Sequence, residues 1–276
     1  MDVTCVVDNG VQRGSRLWGE HGLAFLIEMG QGCALFDTGQ SGNVLIHNLA
    51  LLGFRPADVD VLALSHAHRD HTGGLSMLIQ YLNPSTPLYA NPDLFRERYA
   101  EKDGELEDVG LELRMADLAA RLAPVLDGAE REIAPGIWTT GAMVDRPHAQ
   151  GGSKRHRMRH VDELVPDAYL DDMGLVLVED DGLTLLCGCC HAGLLNTVDH
   201  VERVFTRPIR IIAGGLHLTS ADDGDLAGIC DALAVMPALE RVYPNHCTGE
   251  AAFIALRGRL GTSVVRPCPA GTVITL

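Results

Sequence analysis

The stretch Ser65-His66-Ala67-His68-Arg69-Asp70-His71-Thr72-Gly73-Gly74 holds four side chains able to ligate a metal, His66, His68, Asp70 and His71. Two imidazoles two residues apart can point to the same side and grip one ion. Asp70 and His71, on the turn entering the next helix, can grip a second. Imidazole and carboxylate at this density suit Zn²⁺, with Mn or Fe admissible by ligand type. A polar loop whose histidines cap a helix or stack on the surface is the alternative. The spacing argues against it, because the cluster directly follows a buried strand and precedes Thr72-Gly73-Gly74.

That strand is Val59-Asp60-Val61-Leu62-Ala63-Leu64, an apolar run that reads as buried on both faces. Open α/β sheets carry their sites at the carboxyl ends of such strands. Three further histidines stand behind strand-like runs: His191 after 183–188, His217 after 211–215 and His246 after 242–245. Around them the chain reads as opening strands at 3–8 and 22–36, with a hairpin through 28–33. A helix follows over 42–52, stopped by Gly53, and another over 75–82, ended by Asn83-Pro84. Residues 88–90 are a short strand, 93–131 are charged and helix-compatible with a break at Asp103-Gly104, and 137–141 resume strand character. Residues 174–179 and 183–187 form a hairpin turned by Glu179-Asp180-Asp181-Gly182. Helices at 193–205, 223–235 and 249–260 alternate with strands at 209–213 and 242–244. No repeat, low-complexity segment or linker is visible. This order predicts an α/β protein of one domain, 1–276. Its architecture is an αββα sandwich: two mixed β-sheets packed face to face, helices outside, and the site at one sheet edge.

His66-x-His68-x-Asp70-His71, with Phe36-Asp37-Thr38-Gly39 upstream, resembles the signature of the metallo-β-lactamase superfamily. Narrower similarities lie in the 35–42 run, Gly188-Cys189-Cys190-His191-Ala192-Gly193, Gly214-Gly215-Leu216-His217-Leu218 and His246-Cys247-Thr248-Gly249. Together these resemble the branch of dihydropterin–ribofuranosylaminobenzene phosphate synthase-like proteins. The resemblance implies a first ion on His66, His68 and His191, a second on Asp70, His71 and His246, and a bridging water. Asp70 would also orient the nucleophile, as the catalytic carboxylate. Asp37 would accept a ligand imidazole N–H and fix its tautomer. His217 would stand behind the ligands or face the substrate.

One departure from the superfamily concerns the bridging carboxylate. Many dinuclear members end a later strand in Gly-Asp, whereas 183–187 here ends in Gly188-Cys189-Cys190-His191. His191 could occupy that place, so one ion or two stays open. Asp171 and Asp172 are contributors in principle, but a solvated acidic turn is the preferred reading. Cys187, Cys189 and Cys190 read as small buried hydrophobes in preference to thiolate ligands or a nucleophile. Cys247 reads as packed behind His246.

Composition bounds the function. A chain of 276 residues with 46% apolar content can bury a full core. The net charge of −15 argues against nucleic acid and membrane surfaces as partners. No stretch approaches the ~18 apolar residues of a membrane span. Met1-Asp2-Val3-Thr4 opens a strand-like segment rather than a secretory signal. Eight cysteines without small-scaffold spacing suggest a reduced, cytoplasmic protein. The partner expected is a small-molecule substrate, and a homo-oligomer is compatible with the chain. The basic run at 146–160 reads as a loop. Arg155 and Arg157 there either receive a phosphate or carboxylate over the metal edge or stay solvated.

The function read first is metal-dependent hydrolysis: a metal-bound hydroxide attacking an ester, lactone or phosphoester of a small anionic molecule. The alternatives are a transferase joining a pterin-methyl diphosphate to an aryl ribosyl phosphate, and a non-catalytic metal or ligand-binding protein. A dinucleotide fingerprint and a Walker loop are both lacking. An oxygen-reducing di-iron site would carry a carboxylate in place of His68.

Overall fold

β-Branched and aliphatic residues place the strand Val59–Ala63 between two parallel neighbours, Cys33–Phe36 and Pro87–Ala90, with only Asp60 exposed. The computed structural model that shows this describes residues 1–30 and 32–276. They divide into two compact units. One comprises Met1–Gly128, Ser153–Asp171 and Pro269–Leu276; the other comprises Ala129–Gly152 and Asp172–Cys268.

The first unit is built on a seven-stranded mixed sheet in the order Val273–Thr275, Asp2–Val7, Ala24–Glu28, Cys33–Phe36, Val59–Ala63, Pro87–Ala90, Ala123–Leu126. The pairings are antiparallel up to Cys33–Phe36 and parallel beyond it. The turn of the hairpin expected through 28–33 includes Gln31, which lies outside the described residues; Glu28 pairs with Cys33 across it. The helix Gly42–Leu52 has the bounds its caps dictate. Ser41 Oγ accepts the Val44 N–H, and Gly53 closes the end at φ 90°, where a side chain would be strained. Leu45 and Leu49 of this helix pack with Leu26, Leu35, Leu62 and Leu75 in one buried cluster.

Three expectations are corrected in this unit. The helix read over 75–82 is confined to Leu75–Leu78. Beyond it Gln80 and Tyr81 bond back three residues, tightening the chain ahead of Asn83-Pro84. The stretch 93–131 is not mainly helical: only Met115–Ala119 is an α-helix, and Asp103-Gly104 turns a hairpin between Arg98–Lys102 and Glu105–Asp108. Both turn residues have positive φ, 52° and 82°, as a two-residue primed turn requires. The basic run is not wholly a loop, since His156–His160 is a strand. With Glu163–Pro166 and the Asp103-Gly104 hairpin it forms a third, four-stranded sheet that the two-sheet expectation lacked.

The second unit carries a six-stranded mixed sheet in the order Arg241–Asn245, Ile209–Gly215, Gly182–Cys187, Leu175–Glu179, Ile137–Thr139, Arg131–Ala134. The first three strands are mutually parallel and the rest antiparallel. The helices Leu194–Phe205, Asp223–Ala234 and Glu250–Leu260 supply Val201, Leu233 and Leu256 to a core with Leu185, Ile212 and Val242. Cys187 pairs with Gly214 and Gly215 with Asn245, so the three parallel strands end level with one another. No helix among the described residues is long and apolar enough to cross a membrane.

Candidate metal centre

In the first unit the histidines of the 66–71 loop are buried: His66 is 1% exposed, His68 5% and His71 0%. Asp37, held at φ 62° just past the strand Cys33–Phe36, organises them. Its Oδ1 accepts the Ser65 N–H at 2.7 Å, and its Oδ2 accepts the Ser65 hydroxyl at 2.7 Å. His71 Nδ1 lies 2.7 Å from the same Oδ2. An ionised carboxylate only accepts, so Nδ1 carries the proton and the lone pair falls on His71 Nε2. The Ser65 hydroxyl spends its proton on Asp37, so His66 Nδ1, 2.8 Å away, donates to Ser65 Oγ. That assignment leaves the His66 lone pair on Nε2, which lies 3.1 Å from His68 Nδ1. Two ring nitrogens thus converge on one point, as a shared ligand would require.

Electrostatics agree with this pattern. Burial, together with His71 and His68, holds His66 well below the usual histidine range; burial does the same for His68. Both are neutral near pH 7, the form that ligates metals. Asp70 is partly exposed, with Oδ2 3.2 Å from His21 Nε2 and 3.8 Å from His71 Nε2. A second layer supports the loop. The His156 ring stands edge-on to His68 at 4.8 Å, and His156 Nδ1 bonds Tyr169 Oη at 2.9 Å. Asp171 Oδ2 accepts the Ala67 N–H at 2.8 Å, between His66 and His68. Its Oδ1 faces Arg98 Nη2 at 2.7 Å, a buried ion pair whose angle departs from hydrogen-bond geometry.

In the second unit the donors sit at the level ends of the three parallel strands. His191 is 1% exposed, Cys189 2%, His246 8% and Cys247 9%. The strand between those that carry them ends in Gly214-Gly215. A Cβ on Gly215 would stand 2.3 Å from Gly188 O and 2.7 Å from Cys247 Sγ, so the flanking loops close over this strand only because it has no side chain there. Cys247 donates its S–H to Cys189 Sγ at 3.2 Å. The rings of His191 and His217 lie 4.4 Å apart, tilted by 49°. His217 Nδ1 is buried without a hydrogen-bond partner among the described residues. Cys190, His217 and His246 adopt left-handed φ of 52°, 45° and 48°. Left-handed backbone in non-glycine residues is costly and collects at functional sites.

His217 also lines a cavity of about 240 Å³ with His148, Gln150, Leu194, Leu216 and Asp225. The part of the basic run that reaches this cavity is therefore 148–151. Arg155 is exposed, and Arg157 is paired with Glu101 at 3.0 Å in the third sheet. Asp171 and Asp172 are not a solvated turn, being each 1% exposed. Asp171 is bound as described, and Asp172 Oδ2 accepts the Ala192 N–H at 2.7 Å. These aspartates serve backbone amides because the residues flanking the histidines need partners once buried.

Half of the chain, residues 17–155, matches the family model described as Metallo-beta-lactamase superfamily. The chain belongs to the metallo-β-lactamase superfamily. This member is 28% identical over 246 residues to the 7,8-dihydropterin-6-methyl-4-(β-D-ribofuranosyl)-aminobenzene-5′-phosphate synthase of Methanocaldococcus jannaschii, across 85% of this chain and 83% of that protein. It is 29% identical over 259 residues to the uncharacterized protein MJ0448 of the same organism, across 92% and 93%. Among solved structures, Tm1679, a metal-dependent hydrolase of the β-lactamase superfamily, superposes with a TM-score of 0.85. The identity is 23%, across 100% of this chain and 99% of that one. The fold is therefore the mixed α/β fold of the metallo-β-lactamase superfamily, which suggests metal binding.

Within the first unit, His66, His68, Asp70, His71 and Asp37 stand together. Within the second, His191 stands with His217, while Cys189 meets the Cys247 that follows His246. Sequence reasoning missed Ser65, His156, Tyr169 and the Arg98–Asp171 pair. Ser65, directly ahead of His66, was the one with a local signal: a hydroxyl beside a candidate ligand can fix its tautomer.

Proposed function

We propose that the chain is a metal-dependent hydrolase acting on an ester, lactone or phosphoester of a small anionic molecule. The observation that carries this reading is the anchoring of His66 and His71. Each is buried, and each has Nδ1 committed through the Asp37–Ser65 network, so that Nε2 presents a lone pair. Buried imidazoles prepared in this way fit a zinc ion, with manganese or iron as variants. The ligand assignment proposed is the one the sequence pattern implies: His66, His68, Asp70, His71, His191 and His246. A bound ion would supply a water acidified toward pH 7 and polarisation of the bond to be cleaved.

The protein's own groups do the rest. Asp70, partly exposed at the loop, would orient the attacking hydroxide. Asp37 and Ser65 hold the imidazoles in register. His217, which lines the cavity, would face the substrate or stand behind the ligands. The compartment proposed is the cytoplasm, on the reading that eight cysteines without small-scaffold spacing belong to a reduced protein.

A second reading is favoured by the synthase among the relatives: formation of a pterin–aryl ribosyl phosphate product. The two are separated by assaying a panel of phosphoesters, lactones and carboxylic esters alongside a pterin-methyl diphosphate with an aryl ribosyl phosphate. Protein stripped by chelation and then reloaded with Zn²⁺ is the sample. Hydrolysis lost on stripping and restored on reloading supports the proposal. Turnover only with the pterin pair transfers it to the synthase reading, and hydrolysis indifferent to chelation contradicts both.

A further inference from the structure

The cavity beside His217 lies wholly within the second unit, and the His217 ring that lines it stands 4.4 Å from the ring of His191. One wall, 148–151, is fixed before any ligand arrives. Buried Asn196 accepts the His148 N–H at 2.7 Å and donates to the His148 carbonyl at 3.0 Å, and the Gly151 N–H donates to the His191 carbonyl at 3.1 Å. Gly193 permits this approach, since a Cβ there would stand 2.2 Å from Ala149 O. Another wall is the helix Asp223–Ala234, which presents Gly224, Asp225, Gly228 and Ile229 to the cavity. Gly228 differs in kind from Gly193. It lies inside a helix, where glycine is destabilising relative to alanine, and a Cβ on it would meet nothing within 4 Å. Neither backbone conformation nor packing calls for glycine at this position. The space its side chain would fill is cavity.

The lining says what kind of group fits. Leu194, Leu216 and Leu218 make it largely apolar, as binding pockets for organic ligands are. A cavity of about 150 Å³ holds one benzene ring, so this one, of about 240 Å³, admits two fused rings. Asp225 is the one carboxylate of the lining, and neither lysine nor arginine joins it among the described residues, so an anionic group is disfavoured there. We propose that this cavity takes an uncharged aryl group of the substrate, with Gly228 setting how large that group can be. The inference rests on the reading that the chain hydrolyses esters. It assigns the anionic group to the donors beside His191 and the aryl group to the cavity.

The test uses the zinc-loaded full chain, with 2-naphthol as a probe that has no bond to cleave and the phosphate and acetate esters of 2-naphthol and of ethanol as substrates. Wild type is expected to bind 2-naphthol, read by ligand-observed NMR. Gly228→Leu should weaken that binding and raise KM for the naphthyl ester by about tenfold or more, while turnover of the ethyl ester stays within about twofold. Gly228→Ala should raise the thermal midpoint and still weaken naphthol binding, which a glycine with a merely structural role would not do. Gly258→Leu, in the helix Glu250–Leu260, places a side chain at a glycine equally free of neighbours but outside the cavity, and should change neither binding nor KM. Circular dichroism establishes that each variant is folded. Wild type that does not bind 2-naphthol, or binding and KM unchanged in Gly228→Leu, overturns the inference and leaves the hydrolase reading standing wherever an ester is cleaved. Naphthol binding that is lost in Gly228→Leu while wild type cleaves none of the esters supports the cavity as an aryl site and counts against the hydrolase reading alone.

Discussion

Arg98 is the largest fully buried side chain among the described residues, and removing its charge should be costly in a defined way. Its Nε lies 3.0 Å from Asp167, its Nη2 2.7 Å from Asp171 and 3.5 Å from Asp93, and its Nη1 donates to the Asp93 and Arg96 carbonyls. Asp167 and Asp171 are themselves buried, so Arg98→Met strands two carboxylates inside the first unit. Breaking a buried pair from one side costs about 3–5 kcal/mol. That is roughly 150- to 5,000-fold in the unfolding equilibrium constant.

The assay can isolate this unit. Of the two tryptophans, Trp18 belongs to the first unit and Trp138 to the second. In a Trp138→Phe background, urea unfolding followed by Trp18 fluorescence therefore reports the unit that holds Arg98. The penalty should also depend on pH. Burial pushes the Asp171 carboxyl up to about 6 against the opposing pull of Arg98, and without Arg98 it rises further. At pH 5 the carboxyl is protonated with or without Arg98, whereas at pH 8 only the variant is driven to strand or protonate it. The deficit should be greatest near pH 8 and shrink toward pH 5. Because Asp171 also tethers Ala67 between His66 and His68, bound metal should fall with it. A loss below about 1 kcal/mol, or a loss equal at pH 5 and pH 8, would refute the reasoning.

Three further outcomes follow from the same geometry. In wild type the Asp171 carboxyl has a folded pKa above its ordinary 3.8, so its contribution is complete below that value and disappears as pH climbs through about 6. Asp171→Asn keeps the amide contact without the titration; urea midpoints taken from pH 4 to 7 should show wild type losing up to about 3 kcal/mol relative to it. Asp37→Asn unfixes the His71 tautomer and should lower metal affinity about 10–100-fold, measured by competition with a chelating dye. Gly215→Ala drives a Cβ to 2.3 Å from Gly188 O and should destabilise the second unit by about 1–3 kcal/mol, seen in Trp138 fluorescence.

Much of this was readable because the determinants are local. Ser41 and Gly53 bound the helix Gly42–Leu52, and Glu179-Asp180-Asp181-Gly182 turns its hairpin as a short acidic-glycine loop should. The histidines behind 59–64, 183–188 and 242–245 were visible because parallel strands end in their sites. What was hidden depends on partners distant in sequence. Asp171 reads as a solvated acid until Arg98 and the Ala67 amide are seen beside it. Cys189 reads as a small buried hydrophobe and is one, but its contact with Cys247, 58 positions away, has no trace in the sequence. The 93–131 stretch misled for another reason. Its charged residues suit an exposed helix as well as the solvated third sheet, and only Asp103-Gly104 marks the difference, as a hairpin turn.

The central claim is that the 66–71 histidines hold a metal. Elemental mass spectrometry on protein purified without chelator or added metal tests it most directly, run beside His68→Ala. One to two equivalents of zinc per chain in wild type are expected, with a clear drop in a His68→Ala variant that keeps its circular dichroism and loses its hydrolytic activity. Metal content unchanged by His68→Ala, or wild type that stays metal-free even after zinc is supplied, would contradict the account.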